Sequence, residues 1–169
     1  MSKLKISIAA LLEAWLCPAL QAQPKCSIHN LAGKWSISSS GWAIMTAPGP
    51  WPPNEAVPVA GLGILSIDSS GKLSGPGTIA VAGMTFDYEA VGTVELNSDC
   101  TGLLLYTVKM KGFPDLPGYV ERFVFDLGRQ EMTTVSKRTP ISKPMWVSTM
   151  KRITVFPGAV VWPDIPALN

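Results

Sequence analysis

Glu121 and Arg122 are adjacent ionisable residues in a strand-like segment, Tyr119–Leu127. Period-two alternation places Tyr119, Glu121 and Phe123 on one face and Arg122 on the other. Whichever face is interior, one charged side chain enters it, and a buried charge is costly unless it is paired or used on a ligand. Glu121, Arg122 and Tyr106 are therefore acid–base candidates for a cofactor-independent enzyme. The simpler alternative is a structural ion pair between Glu121 and Arg122.

A second pair of carboxylates, Asp87 and Glu89, lies two residues apart within Thr85–Leu96. Such a pair facing a cavity can act as general acid and base. Because Val91, Thr93 and Glu95 share their side of the strand, we favour a solvent-exposed face instead.

The sequence lacks the residues that other kinds of catalytic, metal or cofactor site require. His29 is the single histidine, it follows the N-terminal segment, and nothing near it resembles the nucleophile turn of a Ser-His-Asp enzyme. One His and two Cys beyond the leader exclude ordinary zinc or copper sites. Gly61 and Gly63 lack the rest of a dinucleotide-binding motif. The sequence therefore predicts no metal and no cofactor.

Residues 1–22 have the pattern of a secretory signal peptide: Lys3 and Lys5 precede the apolar run Ile6–Leu16, and a small-residue stretch ends at Ala22. An amphipathic first helix and a lipid anchor on Cys17 are the alternatives. We expect a secreted protein with a domain over 23–156 and a Pro-containing tail over 157–169. The scattered charges, +2 in total, predict no nucleic-acid partner, and we expect no stable membrane insertion once the leader is removed.

Cysteine usage agrees with secretion. Cys17 leaves with the leader, so Cys26 and Cys100 remain as one possible pair. Two such cysteines in a small domain usually bond in an oxidising compartment. A disulfide is therefore predicted, with a free buried thiol or a nucleophile as the alternative.

The body of the chain alternates between strand-like runs and turn residues, with 15 Gly and 15 Pro among 169 residues. The Pro-rich segment 47–58 is predicted to be a loop. Eight strands are predicted, at Gly33–Ser39, Ala60–Asp68, Lys72–Val81, Thr85–Leu96, Leu103–Lys111, Tyr119–Leu127, Glu131–Lys137 and Met145–Phe156. Short connections favour an all-β fold, a single antiparallel up-and-down β-barrel, over a β-sandwich. Such a barrel is just wide enough for one small ligand.

Large aromatic and sulfur-containing side chains are the candidates for lining a cavity. These are Trp42, Trp51, Tyr106, Phe123, Trp146 and Met150. The alternative is that they fill the core. Trp51 differs because prolines flank it in the predicted loop, where it can cap the barrel mouth or meet a partner.

Gly33-Lys34-Trp35 resembles the Gly-x-Trp motif of lipocalin-like barrels. That resemblance implies that Trp35 closes the barrel base under a basic side chain from the last strand, Arg152 or else Lys151. The Thr-Asp-Tyr motif of lipocalins is missing.

A longer pattern is similar to that of a group of small secreted microbial proteins with no assigned activity. It comprises Cys26-Ser27, the Gly-x-Trp strand, the hairpin Gly63–Gly75 and the turn Asn97–Gly102. The resemblance implies a fold and a compartment rather than a reaction.

Three functions follow as expectations. The first is a secreted lipocalin-like barrel that binds a small apolar molecule, with Glu121 or Arg122 as its polar contact. The second is a cofactor-independent cyclase or isomerase of secondary metabolism. The third is a surface or interaction protein with a filled barrel.

Overall fold

The computed structural model describes residues 25–46, 50–52 and 54–154. The predicted leader over 1–22 and the predicted tail over 157–169 lie outside the described residues. The elements in chain order are α1 (Ile28–Leu31), β1 (Gly33–Met45), β2 (Ala56–Ile67), β3 (Lys72–Val81), β4 (Met84–Leu96), β5 (Thr101–Met110), β6 (Leu116–Asp126), β7 (Glu131–Arg138) and β8 (Ser142–Arg152).

The eight strands form one closed barrel in sequential order. Each strand pairs antiparallel with the next, and β1 pairs antiparallel with β8 over Trp35–Met45. The predicted up-and-down barrel is confirmed, and the sandwich alternative is wrong. Because the sheet closes on itself, it has no edge strand, although β7 and β8 pair only over Glu131–Val135 and Val147–Lys151.

Prolines lie inside two strands where a loop or a later strand start was predicted. β2 begins at Ala56, and Pro58 pairs with Trp42 of β1. The Ala82 amide donates to the Pro58 carbonyl at 3.1 Å. A proline lacks only the donor, so it can still accept a hydrogen bond near a strand end. In β8, Pro144 likewise pairs with Ala43.

The N-terminal arm closes one end of the barrel, which we call the base. Leu31 of α1 is fully buried there, and the Trp35 indole nitrogen donates to the Leu31 carbonyl at 2.8 Å. Cys26 and Cys100 form the predicted disulfide, with a Cα–Cα distance of 5.1 Å. The arm is therefore tied to the turn between β4 and β5.

Arg152 joins the last strand to the same arm. Its guanidinium lies 4.9 Å from the centroid of the Trp35 ring, which is the contact implied by the Gly-x-Trp resemblance. It also donates to the Ala32 carbonyl at 3.0 Å and to the Asn30 carbonyl. Lys151, the alternative, is exposed and pairs with Glu131 at 3.7 Å.

Glycines inside the strands face large aromatic residues on the neighbouring strand. The register pairs are Gly41 with Trp146, Gly77 with Tyr88, Gly92 with Tyr106 and Gly102 with Phe123. At each of these glycines, a Cβ atom would lie within 2.7 Å of the paired aromatic residue. The missing side chains are what allow four aromatic rings to fit within one narrow barrel.

The opposite strand faces meet solvent and carry both polar and apolar side chains. Asp87 and Glu89 are exposed on β4, as expected for a solvent face, and Asp87 accepts a hydrogen bond from the Thr78 hydroxyl at 2.7 Å. His29 is exposed in α1. These groups are therefore remote from the interior chemistry.

Candidate functional site

The Glu121 carboxylate lies inside the barrel, with 2% of the residue exposed. The Tyr106 hydroxyl donates to its Oε1 atom at 2.6 Å, and the Thr134 hydroxyl donates to its Oε2 atom. Tyr106 is on β5, Glu121 on β6 and Thr134 on β7. Alternation along each strand turns all three side chains inward, so the carboxylate is held from both sides.

Two further tyrosines surround this carboxylate. The Tyr119 ring stacks on the Tyr106 ring with centroids 5.2 Å apart. Burial, followed by the nearby negative charge of Glu121, raises the pKa of Tyr88 to about 12. The pKa of Tyr106 is raised well above its ordinary value, first by burial and then by Glu121. Burial likewise raises the pKa of Tyr119. All three hydroxyls are therefore neutral proton donors at neutral pH.

A cavity lies between this group and the end of the barrel opposite the base, which we call the mouth. Its volume is about 70 Å³. One water needs about 10–15 Å³ of such space, so the cavity has room for a compact ligand. Tyr88, Tyr106 and Glu121 also border a smaller space of about 20 Å³ towards the base. These three residues therefore form the cavity floor.

The mouth side of the cavity is aromatic. The Trp51 ring is 7% exposed, lies nearly parallel to Phe113 at 6.4 Å, and meets Phe86 edge-on at 6.3 Å. Phe113 follows β5 and Phe86 lies on the inward face of β4, so the three rings come from separate segments. Trp146 of β8 completes this side. Trp51 therefore borders the cavity on its mouth side.

Serine hydroxyl groups extend the polar part of the interior beyond Glu121 and Thr134. The Ser39 and Ser148 hydroxyls lie 2.8 Å apart, and Ser148 pairs in register with Thr134. Ser136, which pairs in register with Glu121, is 7% exposed, and its hydroxyl has no hydrogen-bond partner among the described residues. The polar groups thus occupy one side of the interior, from β6 through β8 to β1.

The predicted site residues separate into two sets. The structure brings Glu121, Tyr106, Trp51 and Trp146 together around the cavity.

No matching family model, curated protein or solved structure was found for this chain.

The remaining predicted site residues are Arg122, Trp42, Phe123 and Met150. They do not border the cavity, so the expectation that they form the site does not fit the structure. Arg122 is exposed on the outer face, because adjacent strand residues point to opposite sides, and it forms no ion pair with Glu121. Trp42 is 52% exposed on the outside of β1. Phe123 and Met150 face inward but belong to the packed core near the base. None of these four borders the cavity.

Sequence reasoning missed several residues of the site. Thr134 could not be recognised as a site residue from the sequence, since threonine is common in strands. Tyr88 was detectable, because it alternates with the exposed Asp87 and Glu89 and so must face inward. Tyr119 shares the face of Glu121 for the same reason. Phe86 and Phe113 belong to the site because closure of the barrel brings their segments together.

The described residues show no cluster of three or more His, Cys, Asp or Glu side chains that could hold a metal ion. Within this same part of the chain, no helix is long and apolar enough to cross a membrane. What the cavity offers chemically is one carboxylate, neutral tyrosine hydroxyls and aromatic faces.

Proposed function

We propose that this protein binds a small, largely apolar molecule inside its barrel. The observation that carries the proposal is a cavity with apolar and aromatic walls and a few polar groups at one end, which is the composition of small-molecule sites. A ligand fills the space between Glu121 on the floor and Trp51 at the mouth. The modest volume favours a compact ligand with few non-hydrogen atoms.

We place this activity outside the cytoplasm. The N-terminal signal pattern supports export, and the Cys26–Cys100 disulfide is compatible with an oxidising compartment. The disulfide also ties the arm to the barrel base, so the cavity floor rests on a fixed support.

Calorimetric titration with two compact probes, toluene and cyclohexanol, tests the binding function. We expect the wild-type protein to bind at least one of them. Val108→Phe fills the cavity from β5 and should weaken binding about tenfold or more. Val91→Phe places the same ring on the exposed outer face of β4 and should leave binding unchanged. A folded wild-type protein that binds neither of these probes nor a charged analogue of them would favour the filled-barrel alternative.

A cyclase or isomerase is the second candidate. It is favoured by the 2.6 Å hydrogen bond between Tyr106 and Glu121, since a carboxylate and a phenol in contact can accept and donate a proton. The probe is 3-cyclohexenone, whose conversion to the conjugated 2-cyclohexenone needs only a proton shift. The enzyme would be established if the wild-type protein converts the probe faster than buffer does and if Glu121→Gln and Tyr106→Phe each abolish that conversion. Binding without conversion favours the carrier.

A further inference from the structure

Among the described residues, Glu121 is the only Asp, Glu, Lys, Arg or His whose side chain is buried. No Lys, Arg or His borders the cavity, and none of the ion pairs in this part of the chain includes Glu121. The nearest charged neighbour in sequence, Arg122, points to the outside. The interior therefore holds a carboxylate without a cation of its own.

The hydrogen bonds around Glu121 leave it able to accept more. Tyr106 and Thr134 each donate one hydrogen bond, one to each carboxylate oxygen. An ionised carboxylate has about four acceptor positions, so about two stay available to other donors. A buried carboxylate that lacks a counter-charge is costly, and a cationic group in the cavity would offset that cost.

The walls also favour a cation. Seven of the sixteen residues that border the cavity are aromatic, and ring faces attract organic cations. Because burial raises the pKa of Tyr88 to about 12, its hydroxyl is neutral at neutral pH and adds no negative charge that would need neutralising. One positive charge on an apolar skeleton therefore matches the cavity.

We infer, on the basis of the binding function proposed above, that the ligand is a small organic amine bound as its ammonium ion. The nitrogen donates to Glu121 on the floor, and the carbon skeleton contacts the aromatic rings below Trp51. An inorganic metal ion fits less well, because a single carboxylate supplies too few charged ligands. An anionic ligand would face Glu121 with a like charge.

Cyclohexylamine and cyclohexanol form a matched pair of probes, since they share one ring and differ in charge at neutral pH. We expect the wild-type protein to bind the amine about tenfold or more tightly than the alcohol, as measured by calorimetric titration at low salt. Glu121→Gln should weaken amine binding by a similar factor and change alcohol binding by less than about threefold. Glu89→Gln, an exposed carboxylate on β4, is the matched control and should leave both affinities unchanged.

The outcomes separate the two proposals. If cyclohexanol binds as tightly as the amine, or if a folded Glu121→Gln protein keeps full amine affinity, the amine inference is wrong while the binding function stands. If neither of these ligands nor toluene binds the wild-type protein, the binding function itself fails. The comparison of the two probes on the wild-type protein decides the question even if Glu121→Gln does not fold.

Discussion

The guanidinium of Arg152 lies 4.9 Å from the centroid of the Trp35 ring, and it also donates to two carbonyl groups of the N-terminal arm. One side chain thus connects the last strand, the first strand and the segment that closes the base. The floor of the cavity rests on this closed end, so binding depends on its stability.

Replacing Arg152 should therefore destabilise the barrel. Arg152→Met loses the hydrogen bonds to the Ala32 and Asn30 carbonyls and the contact with Trp35, and we expect it to lower the free energy of unfolding by about 2–3 kcal/mol. Lys151→Met is the control, because its exposed ion pair with Glu131 contributes about 0–1 kcal/mol. Denaturant unfolding followed by tryptophan fluorescence measures both. Equal effects of the two substitutions would contradict a closing role for Arg152.

The glycines within the strands give a second prediction. A Cβ atom at position 92 would lie 2.0 Å from the Leu105 carbonyl oxygen and 2.6 Å from the Tyr106 Cα atom, so Gly92→Ala must move the strand that carries Tyr106. We expect a loss of about 2–3 kcal/mol in the free energy of unfolding, together with weaker ligand binding.

Gly61→Ala is the matched control for Gly92→Ala. Position 61 is likewise a glycine within a strand, but its added Cβ meets nothing closer than 3.4 Å. Its stability should stay unchanged or rise by up to about 1 kcal/mol, because alanine restricts the unfolded chain. A Gly92→Ala protein as stable as Gly61→Ala would show that the paired glycine is not required.

Much of the fold was predictable because period-two alternation and turn residues act locally. Which side chains face the interior depends on the lengths of the strands and on closure of the barrel. The first strand was predicted to end at Ser39, but it continues to Met45, and Trp42 then faces outward because it is seven residues from the inward Trp35. Likewise, alternation alone left open whether Glu121 or Arg122 faces inward. Only the closed barrel, which brings Tyr106 and Thr134 to Glu121, decides that question.

Two buried serines should respond to truncation with opposite signs. The Ser136 hydroxyl has no hydrogen-bond partner among the described residues, so Ser136→Ala removes a desolvation cost and should raise the free energy of unfolding by about 1 kcal/mol. The Ser148 hydroxyl shares a hydrogen bond with Ser39, so Ser148→Ala should lower it by about 1 kcal/mol. Thermal and denaturant unfolding measure both. Destabilisation by Ser136→Ala would mean that this hydroxyl has a partner in solution.

The three tyrosines predict how stability depends on alkaline pH. Tyr88, Tyr106 and Tyr119 are the only tyrosines of the chain, and burial, aided by the charge of Glu121, raises the pKa of each. A raised tyrosine pKa favours the neutral form in the folded state. The stabilisation is therefore fully present below pH 10, which corresponds to the ordinary pKa of tyrosine. It is lost as pH rises from 10 to about 12. In that window the free energy of unfolding falls as pH rises, because the unfolded chain releases its tyrosine protons at lower pH than the folded protein does.

Tyrosinate absorbance in the near ultraviolet measures this ionisation directly, because no other tyrosine contributes to it. In the folded protein we expect no tyrosinate at pH 10. Glu121→Gln removes the negative charge that adds to the effect of burial, so its tyrosines should ionise at lower pH than those of the wild-type protein. Glu89→Gln, on the outer face, should titrate like the wild type. Half-ionisation near pH 10 in the folded wild-type protein would show that the phenols meet solvent, and the cavity floor would then be open rather than closed around Glu121.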